Sequence, residues 1–297
     1  MLYDVAIIGG GPSGLSAALA LGRARKRVLV LDAGPRRNAA AVHMHNFVTR
    51  DGTPPDEFRK IGGSQLATYP NVELRAQPVA AISGTRGAFQ LQLGEGTIEA
   101  RRILLATGMI DEALPIEGFR ELWGSAVFQC PYCHGWEVQD RRWACLARSA
   151  EWAHILPFTL QLRGWTDHVT LFVTEELGLP EASHQQLTAA GVRVELSPVK
   201  RLVARGKELD SVELASGERV ACDILFAHPP QQQVPLVREL GVALDNDGFV
   251  QIDPMRRETS IPGIYAAGDL TSRMQAAIFA AASGTHAAAM LNFDLTV

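Results

Sequence analysis

The feature that most limits what this chain can fold into lies at its start. An apolar run, Asp4-Val-Ala-Ile-Ile8, leads directly into Gly9-Gly-Gly11-Pro12-Ser13-Gly14 and then into small residues as far as Ala24. The run predicts a short buried strand, and the segment from Ser13 to Ala24 predicts a helix. Val28-Leu-Val-Leu31 predicts a second strand ending at Asp32. Strand, glycine turn, helix, strand and acidic residue, in that order, form the first half of a dinucleotide-binding α/β domain. Gly9 permits the tight turn, Gly11 lets the backbone approach a pyrophosphate, and Gly14 lets helix and strand pack closely. The helix start offers amide groups and partial positive charge to phosphates, and Asp32 can accept from ribose hydroxyls.

The fingerprint alone does not choose between FAD and NAD. Two later segments point to FAD. Arg102-Ile-Leu-Leu-Ala-Thr107-Gly108 reads as a buried strand ending in a Thr-Gly turn, and Gly263-Ile-Tyr-Ala-Ala-Gly268-Asp269 as another ending in Gly-Asp. A small-residue helix, Gln275–Met290, follows. Together these segments resemble the flavoproteins with two dinucleotide-binding domains. The resemblance implies that Thr107 and Gly108 lie by the FAD and that Asp269 bonds its ribityl chain. It also implies flavin contacts for Gln275 and Ala276.

The chain has 297 residues, 47% of them hydrophobic, which suffices for about two domains with a sizeable core. A net charge of −4 gives no reason to expect nucleic-acid binding. No apolar run is long enough to span a membrane, and the N-terminus lacks the order of a signal peptide. The expectation is a cytoplasmic protein. The fold class expected is α/β, with two Rossmann-like domains, the second inserted in the first. Residues 1–112 and 245–297 form the discontinuous FAD domain, and residues 113–244 the insert. The insert reads as a diverged copy of the first motif, with strand Trp143–Ala147, helix Glu151–Arg163 and strand Val169–Val173.

Just before the insert's first strand stands Cys130-Pro-Tyr-Cys133-His134-Gly135. No second CxxC and no histidine pair at finger spacing accompany it, so no metal site is expected. A structural disulfide is disfavoured in a reducing compartment. Thiol–disulfide exchange is the remaining reading, with a helix expected to begin near the second cysteine and favour its thiolate. His134 could move protons near neutral pH as the pair opens and closes. Cys145 and Cys222, the other two cysteines, sit in apolar runs and read as buried small hydrophobes.

With CxxC added, the order of motifs resembles low-molecular-weight thioredoxin reductase over nearly the whole chain. The resemblance implies a homodimer in which Cys133 is the flavin-proximal sulfur and Cys130 the interchange thiol. The family has an acidic residue where this chain has His134. A second departure lies in the insert. Counted without gaps from Cys133, the family's GxGxxA turn falls on Ala147-Arg-Ser149-Ala-Glu-Trp152, and its His-Arg-Arg on Val173-Thr-Glu175, with Glu176 next. A bulky ring obstructs the turn, and carboxylates repel a 2′-phosphate. The ordinary NADPH site is therefore read as absent.

His134, the degenerate insert and the His43-Met-His45-Asn46 segment resemble one branch of the family. It comprises the dithiol oxidases that close disulfides in natural products such as gliotoxin and holomycin. In that branch a substrate dithiol reduces the cysteine pair, the pair reduces FAD, and oxygen reoxidises the flavin. Asn46 is expected at the flavin, and His43 and His45 in an ordinary loop near it. The expected partner is a dithiol or disulfide substrate, either a small molecule or a small redox protein. Competing readings are a disulfide reductase, fed by NADPH through an atypical site or by a donor such as ferredoxin, and a flavin redox sensor without turnover.

Overall fold

The structure is a computed structural model that describes residues 2–149 and 151–297. The chain divides into two compact units. Met1–Ala39, Asn46–Asp111 and Gln231–Val297 form the first, and Ala40–His45 with Glu112–Pro230 the second. The chain thus returns to the first unit at Gln231, ahead of the expected residue 245. The reason is a pairing that alternation of apolar residues does not announce. Gln231–Gln232 runs antiparallel to Ile110–Asp111, and the next helix, Pro235–Leu240, buries Val237 completely in the first unit's core.

The first unit is built on a seven-stranded sheet. Val72–Arg75, Val28–Leu31, Leu2–Ile8 and Thr97–Leu105 lie side by side in parallel. Thr97–Leu105 is long enough to be shared along its other edge. Its first half pairs antiparallel with Ala88–Gln92, and its second half pairs parallel with Ile264–Ala266. Successive residues of Leu2–Ile8 feed opposite faces, as strand geometry requires. Val5 and Ile7 enter one apolar cluster, Ala6 and Ile8 the other. Burial on both faces explains why the strand reads as a continuous apolar run. On the Val5 face sit the helices Pro12–Arg23 and Ala277–Thr296. Their small residues allow a close crossing: a Cβ on Gly284 would come within 2.1 Å of the Ser13 carbonyl oxygen.

The second unit repeats the plan with fewer embellishments. Its five-stranded sheet runs Arg193–Glu195, Val169–Phe172, Trp143–Leu146, Ile224–Phe226, Val127–Phe128, all parallel. Helices Trp152–Leu162 and Glu181–Ala189 connect the strands of one edge. A three-stranded meander of Val199–Arg205, Glu208–Leu214 and Arg219–Ala221 completes it and contains the expected hairpin. Among the described residues, no helix is long and apolar enough to cross a membrane.

Candidate active site

The glycine turn of the first unit is tight because nothing larger fits. Gly9 adopts φ +113°, and a Cβ there would lie 2.3 Å from the Ala106 carbonyl oxygen. A Cβ on Gly14 would lie 1.9 Å from the Gly9 oxygen. Gly11 caps the helix with no side-chain bond, and Pro12 occupies the first turn, where its missing N–H costs nothing. Ser13 is only 4% exposed, yet its hydroxyl has no hydrogen-bond partner. A buried orphan hydroxyl beside an uncapped helix start is what a phosphate group requires. These residues fit the pyrophosphate of FAD. Asp32 accepts from the Gly34 amide at 3.0 Å and pairs with Arg59, a residue the motif did not indicate.

The other predicted flavin residues gather from distant segments. Thr107 and Gly108 follow the long strand, with Gly108 at φ +68°. Gly268, at φ +95°, approaches Ser13 so closely that a Cβ would be 3.1 Å from the serine's own. Asp269 opens a 3-10 turn, and Ala276 is the N-cap of the 20-residue Ala277–Thr296 helix. Asn46 is exposed in a separate left-handed turn, at φ 62°, and its amide donates to Asp51 at 2.8 Å.

Sequence reasoning missed the residue that joins these segments, Arg37. Its Nε and one terminal nitrogen grip Asp111 bidentately at 2.7 and 2.8 Å. Its other terminal nitrogen donates to Asp269 Oδ2 at 3.0 Å and to Gln275 Oε1 at 2.5 Å. Gln231 donates to Asp111 at 2.8 Å and exchanges amide bonds with Gln275 at 3.0 and 2.9 Å. Burial raises the Asp269 carboxyl above its ordinary range, while the Arg37 charge pulls it back. The only sequence signal was a pair of arginines shortly after the second strand, which reads as a solvated loop.

In the second unit Cys130 and Cys133 form a disulfide with Cα atoms 5.3 Å apart. The helix here is a single turn, Pro131–His134, and it starts after the first cysteine rather than near the second. Proline after Cys130 begins the turn and makes Cys130 the N-cap, so the Cys133 amide donates to Cys130 Sγ at 3.2 Å. Gly135 admits the Trp165 ring against this turn, since a Cβ would meet the indole Nε1 at 2.9 Å. Tyr132, between the cysteines, is 64% exposed.

His134 stacks on Phe128, with ring centroids 4.3 Å apart. Neither of its buried ring nitrogens makes a hydrogen bond of good geometry, although the Cys130 backbone lies close enough to oppose part of the burial effect. Burial pushes its pKa down to about 4, with nearby Glu137 opposing and His45 adding to the shift. The near-neutral titration expected from the sequence is therefore not found while the disulfide is closed. The imidazole is neutral because its burial against an aromatic face outweighs the opposing pull of Glu137. His43 and His45 lie in Ala40–His45, which groups with the second unit. There a Cβ on Gly124 would approach the Ala40 Cβ at 2.6 Å, and His45 pairs with Glu137 at 3.4 Å. Burial raises the thiols of Cys145 and Cys222 to about 12, which leaves them inert.

The second unit also carries the counterpart of the glycine turn. Leu146 pairs with Phe172 as Ile8 pairs with Leu31. The Ala147 amide donates to Phe172 O at 2.9 Å, just as the Gly9 amide donates to Leu31 O at 2.8 Å. Ala147, Ser149, Trp152 and Val173 thus stand where the first unit has Gly9, Gly11, Gly14 and Asp32. The Trp152 ring packs on the unit's core, and Val173 is 2% exposed. The helix begins at Trp152, five residues after Ala147, whereas its counterpart begins at Pro12, three residues after Gly9. Glu175 and Glu176 are exposed in the 3-10 turn that follows the second strand. Ala150 lies outside the described residues.

The family model for pyridine nucleotide-disulphide oxidoreductase matches residues 3–156 and 158–284. A protein called thioredoxin reductase tcpT, from Claviceps purpurea (strain 20.1), is 33% identical over 90% of this chain and 86% of its own length. The crystal structure of an oxidoreductase from Agrobacterium tumefaciens superposes with TM-score 0.91 at 36% identity, covering 99% of this chain and 98% of that one. The crystal structure of HlmI superposes with TM-score 0.88 at 36% identity, covering 99% and 92%. The chain belongs to the pyridine nucleotide-disulphide oxidoreductase family and is a thioredoxin-reductase-like oxidoreductase acting on thiol and disulfide groups. Membership implies FAD as its flavin.

Proposed function

We propose that this member of the family is a dithiol oxidase: it closes a substrate dithiol to a disulfide through Cys130 and Cys133, with FAD as the electron acceptor and oxygen as the final oxidant. The observation that carries the proposal is the second turn. Position for position, Ala147, Ser149 and Trp152 replace the residues that make the first turn hospitable to a pyrophosphate. Buried Val173 replaces the ribose carboxylate, and Glu175 and Glu176 follow where a 2′-phosphate would need cations.

Gly9, Gly11, Pro12, Ser13, Gly14 and Asp32 would hold the adenine-side half of FAD, and Asn46, Thr107, Gly108, Gly268, Asp269, Gln275 and Ala276 the flavin side. Bound FAD supplies a two-electron acceptor that oxygen can regenerate. The rest of the chemistry belongs to the second unit. A substrate thiolate attacks Cys130 Sγ, a mixed disulfide forms, and Cys133 leaves as thiolate. The second substrate thiol then attacks its own mixed-disulfide sulfur, which releases Cys130 and the closed product. Two electrons have by then moved from substrate to the cysteine pair; one substrate proton was lost when the attacking thiolate formed, and the other goes to the released Cys130 thiolate or to solvent. Beside the closed disulfide, burial holds His134 as a neutral imidazole with its pKa pushed down to about 4, so it takes up no proton at neutral pH in that state. Its part as a proton carrier begins only when opening of the pair lets water reach the ring.

Related proteins bear the name thioredoxin reductase, so the competing reading is NADPH-driven disulfide reduction. Anaerobic mixing separates the two. The oxidase keeps its yellow colour with NADPH, is bleached by a small dithiol such as dithiothreitol, and recovers in air. Rapid bleaching by NADPH would sink the oxidase reading in favour of a reductase. Cys133→Ser should abolish bleaching by dithiol, and a variant that still bleaches would overturn the assignment of Cys133. The protein is also proposed to be a homodimer, on family grounds, which sedimentation would check.

A further inference from the structure

We propose that Arg37 is the positioning residue of the flavin site, and that through it flavin occupancy is felt by the two-stranded ribbon of Ile110–Asp111 and Gln231–Gln232. The inference rests on the reading of the first unit as the FAD unit. Three observations carry it. Arg37 ties Asp269 and Gln275 together from a single terminal nitrogen, at 3.0 and 2.5 Å. The bond engages Asp269 Oδ2 only, and Oδ1 has no protein partner among the described residues. The guanidinium is itself held by the bidentate grip of Asp111, whose carboxylate also accepts from Gln231 at 2.8 Å.

A planar guanidinium gripped by two parallel bonds cannot rotate without breaking both, so its other terminal nitrogen, which meets Asp269 and Gln275, is fixed in direction. That direction fixes the Asp269 carboxylate with one oxygen occupied and the other offered. Gln275 is oriented in the same way. Its Oε1 accepts from Arg37 and Gln231, which commits its Nε2 to Gln231 Oε1 and the Asp269 carbonyl. Asp111 and Gln231 face each other on the antiparallel ribbon, at the points where the chain leaves and re-enters the first unit. Any ligand that orders Asp269 or Gln275 therefore lowers the freedom of both ribbon strands, because they share the same hydrogen bonds.

The test uses the full chain stripped of flavin and reconstituted with FAD, with two readouts. The first is the FAD dissociation constant from quenching of flavin fluorescence. The second is hydrogen exchange of the ribbon amides with and without FAD. In the unaltered protein, FAD should bind and slow exchange at residues 110–111 and 231–232. Arg37→Met should weaken FAD at least tenfold and remove the FAD-dependent protection of the ribbon, and it should also lower the unfolding midpoint of the apoprotein, because Asp111 and Asp269 lose their counter-charge. Asp111→Asn should weaken binding several-fold in the same direction, and the double variant should be no weaker than Arg37→Met alone. Arg37→Met binding FAD as tightly as the unaltered chain would overturn the inference. If that variant does not fold, Asp111→Asn decides it, since unchanged affinity there has the same meaning. An unaltered apoprotein that takes up no FAD would instead defeat the flavin reading itself.

Discussion

The two glycine-turn positions of this protein begin from the same strand pairing and end as different surfaces. In the first unit, Gly9, Gly11 and Gly14 keep the turn free of side chains and leave the Ser13 hydroxyl and the helix start unsatisfied. In the second, Trp152 fills the Gly14 position with a ring packed on the core, and its helix starts two residues later relative to the strand. Both solutions hold the strand–helix–strand frame together. The comparison teaches that the frame and the nucleotide site are separable. The strands need only apolar residues in register, whereas the site needs the absence of Cβ atoms at a few points. With those points filled in the second unit, the strand–helix–strand frame still forms, which is the basis on which we propose that its phosphate cradle is lost.

The comparison can be broken or sharpened by experiment. The largest effect is expected from giving the first turn the second turn's residue. In Gly14→Trp the Cβ would sit 1.9 Å from the Gly9 oxygen, and no side-chain motion can relieve a backbone clash. The cost should exceed about 4 kcal/mol, so that no flavin-bound soluble protein is recovered. A yellow, soluble variant with wild-type flavin content would show that the two turns are interchangeable after all.

Next in size is the acid sensitivity of the second unit. His134 has its folded pKa pushed down to about 4, from the ordinary 6.5 of an exposed histidine. Between those values the unfolded chain binds a proton that the folded one refuses, so stability falls as pH falls from about 6.5 towards 4. The contribution is at most about 3 kcal/mol. His134→Gln should flatten that part of the stability–pH curve measured by urea unfolding. An unchanged slope would mean that His134 is not held neutral.

Trp152→Ala should cost about 2 kcal/mol, less than a fully buried tryptophan, because the ring is only partly covered. A shift in urea midpoint checks it. Smallest of all, Glu175→Gln with Glu176→Gln should change stability by less than about 0.5 kcal/mol, since both side chains are exposed. Titration should also show no acquired NADPH binding, because removing repulsion does not rebuild a phosphate turn. Tight NADPH binding to that double variant would place the block in the carboxylates alone.

Much of the frame was legible beforehand because its signals are local. The strand Leu2–Ile8, its glycines, the helix after them and the hairpin of Val199–Arg205 with Glu208–Leu214 each follow from residue type over a short window. The count from Cys133 put a second phosphate turn on Ala147–Trp152, and the strand register sets Ala147 at the position of Gly9. Three things were not legible. The return to the first unit at Gln231 depends on a two-residue ribbon whose partner lies 120 positions earlier. Arg37 looks like any loop arginine until Asp111, Asp269 and Gln275 converge on it. The grouping of His45 with Glu137 likewise joins residues far apart in the chain.

The sequence by itself determined where a backbone can and cannot carry a side chain, and therefore where a pyrophosphate fits, because φ and Cβ sterics are properties of single residues and their neighbours. It also determined which thiols can close a disulfide, since two cysteines separated by two residues meet within one turn. Only the tertiary structure decided the charge state of His134 and the direction in which Asp269 presents its free oxygen. Both depend on burial and on partners brought together from distant parts of the chain: Phe128 and Glu137 around the imidazole, and Arg37 and Asp111 behind the carboxylate. Desolvation and long-range hydrogen bonds exist only once the chain has closed around them.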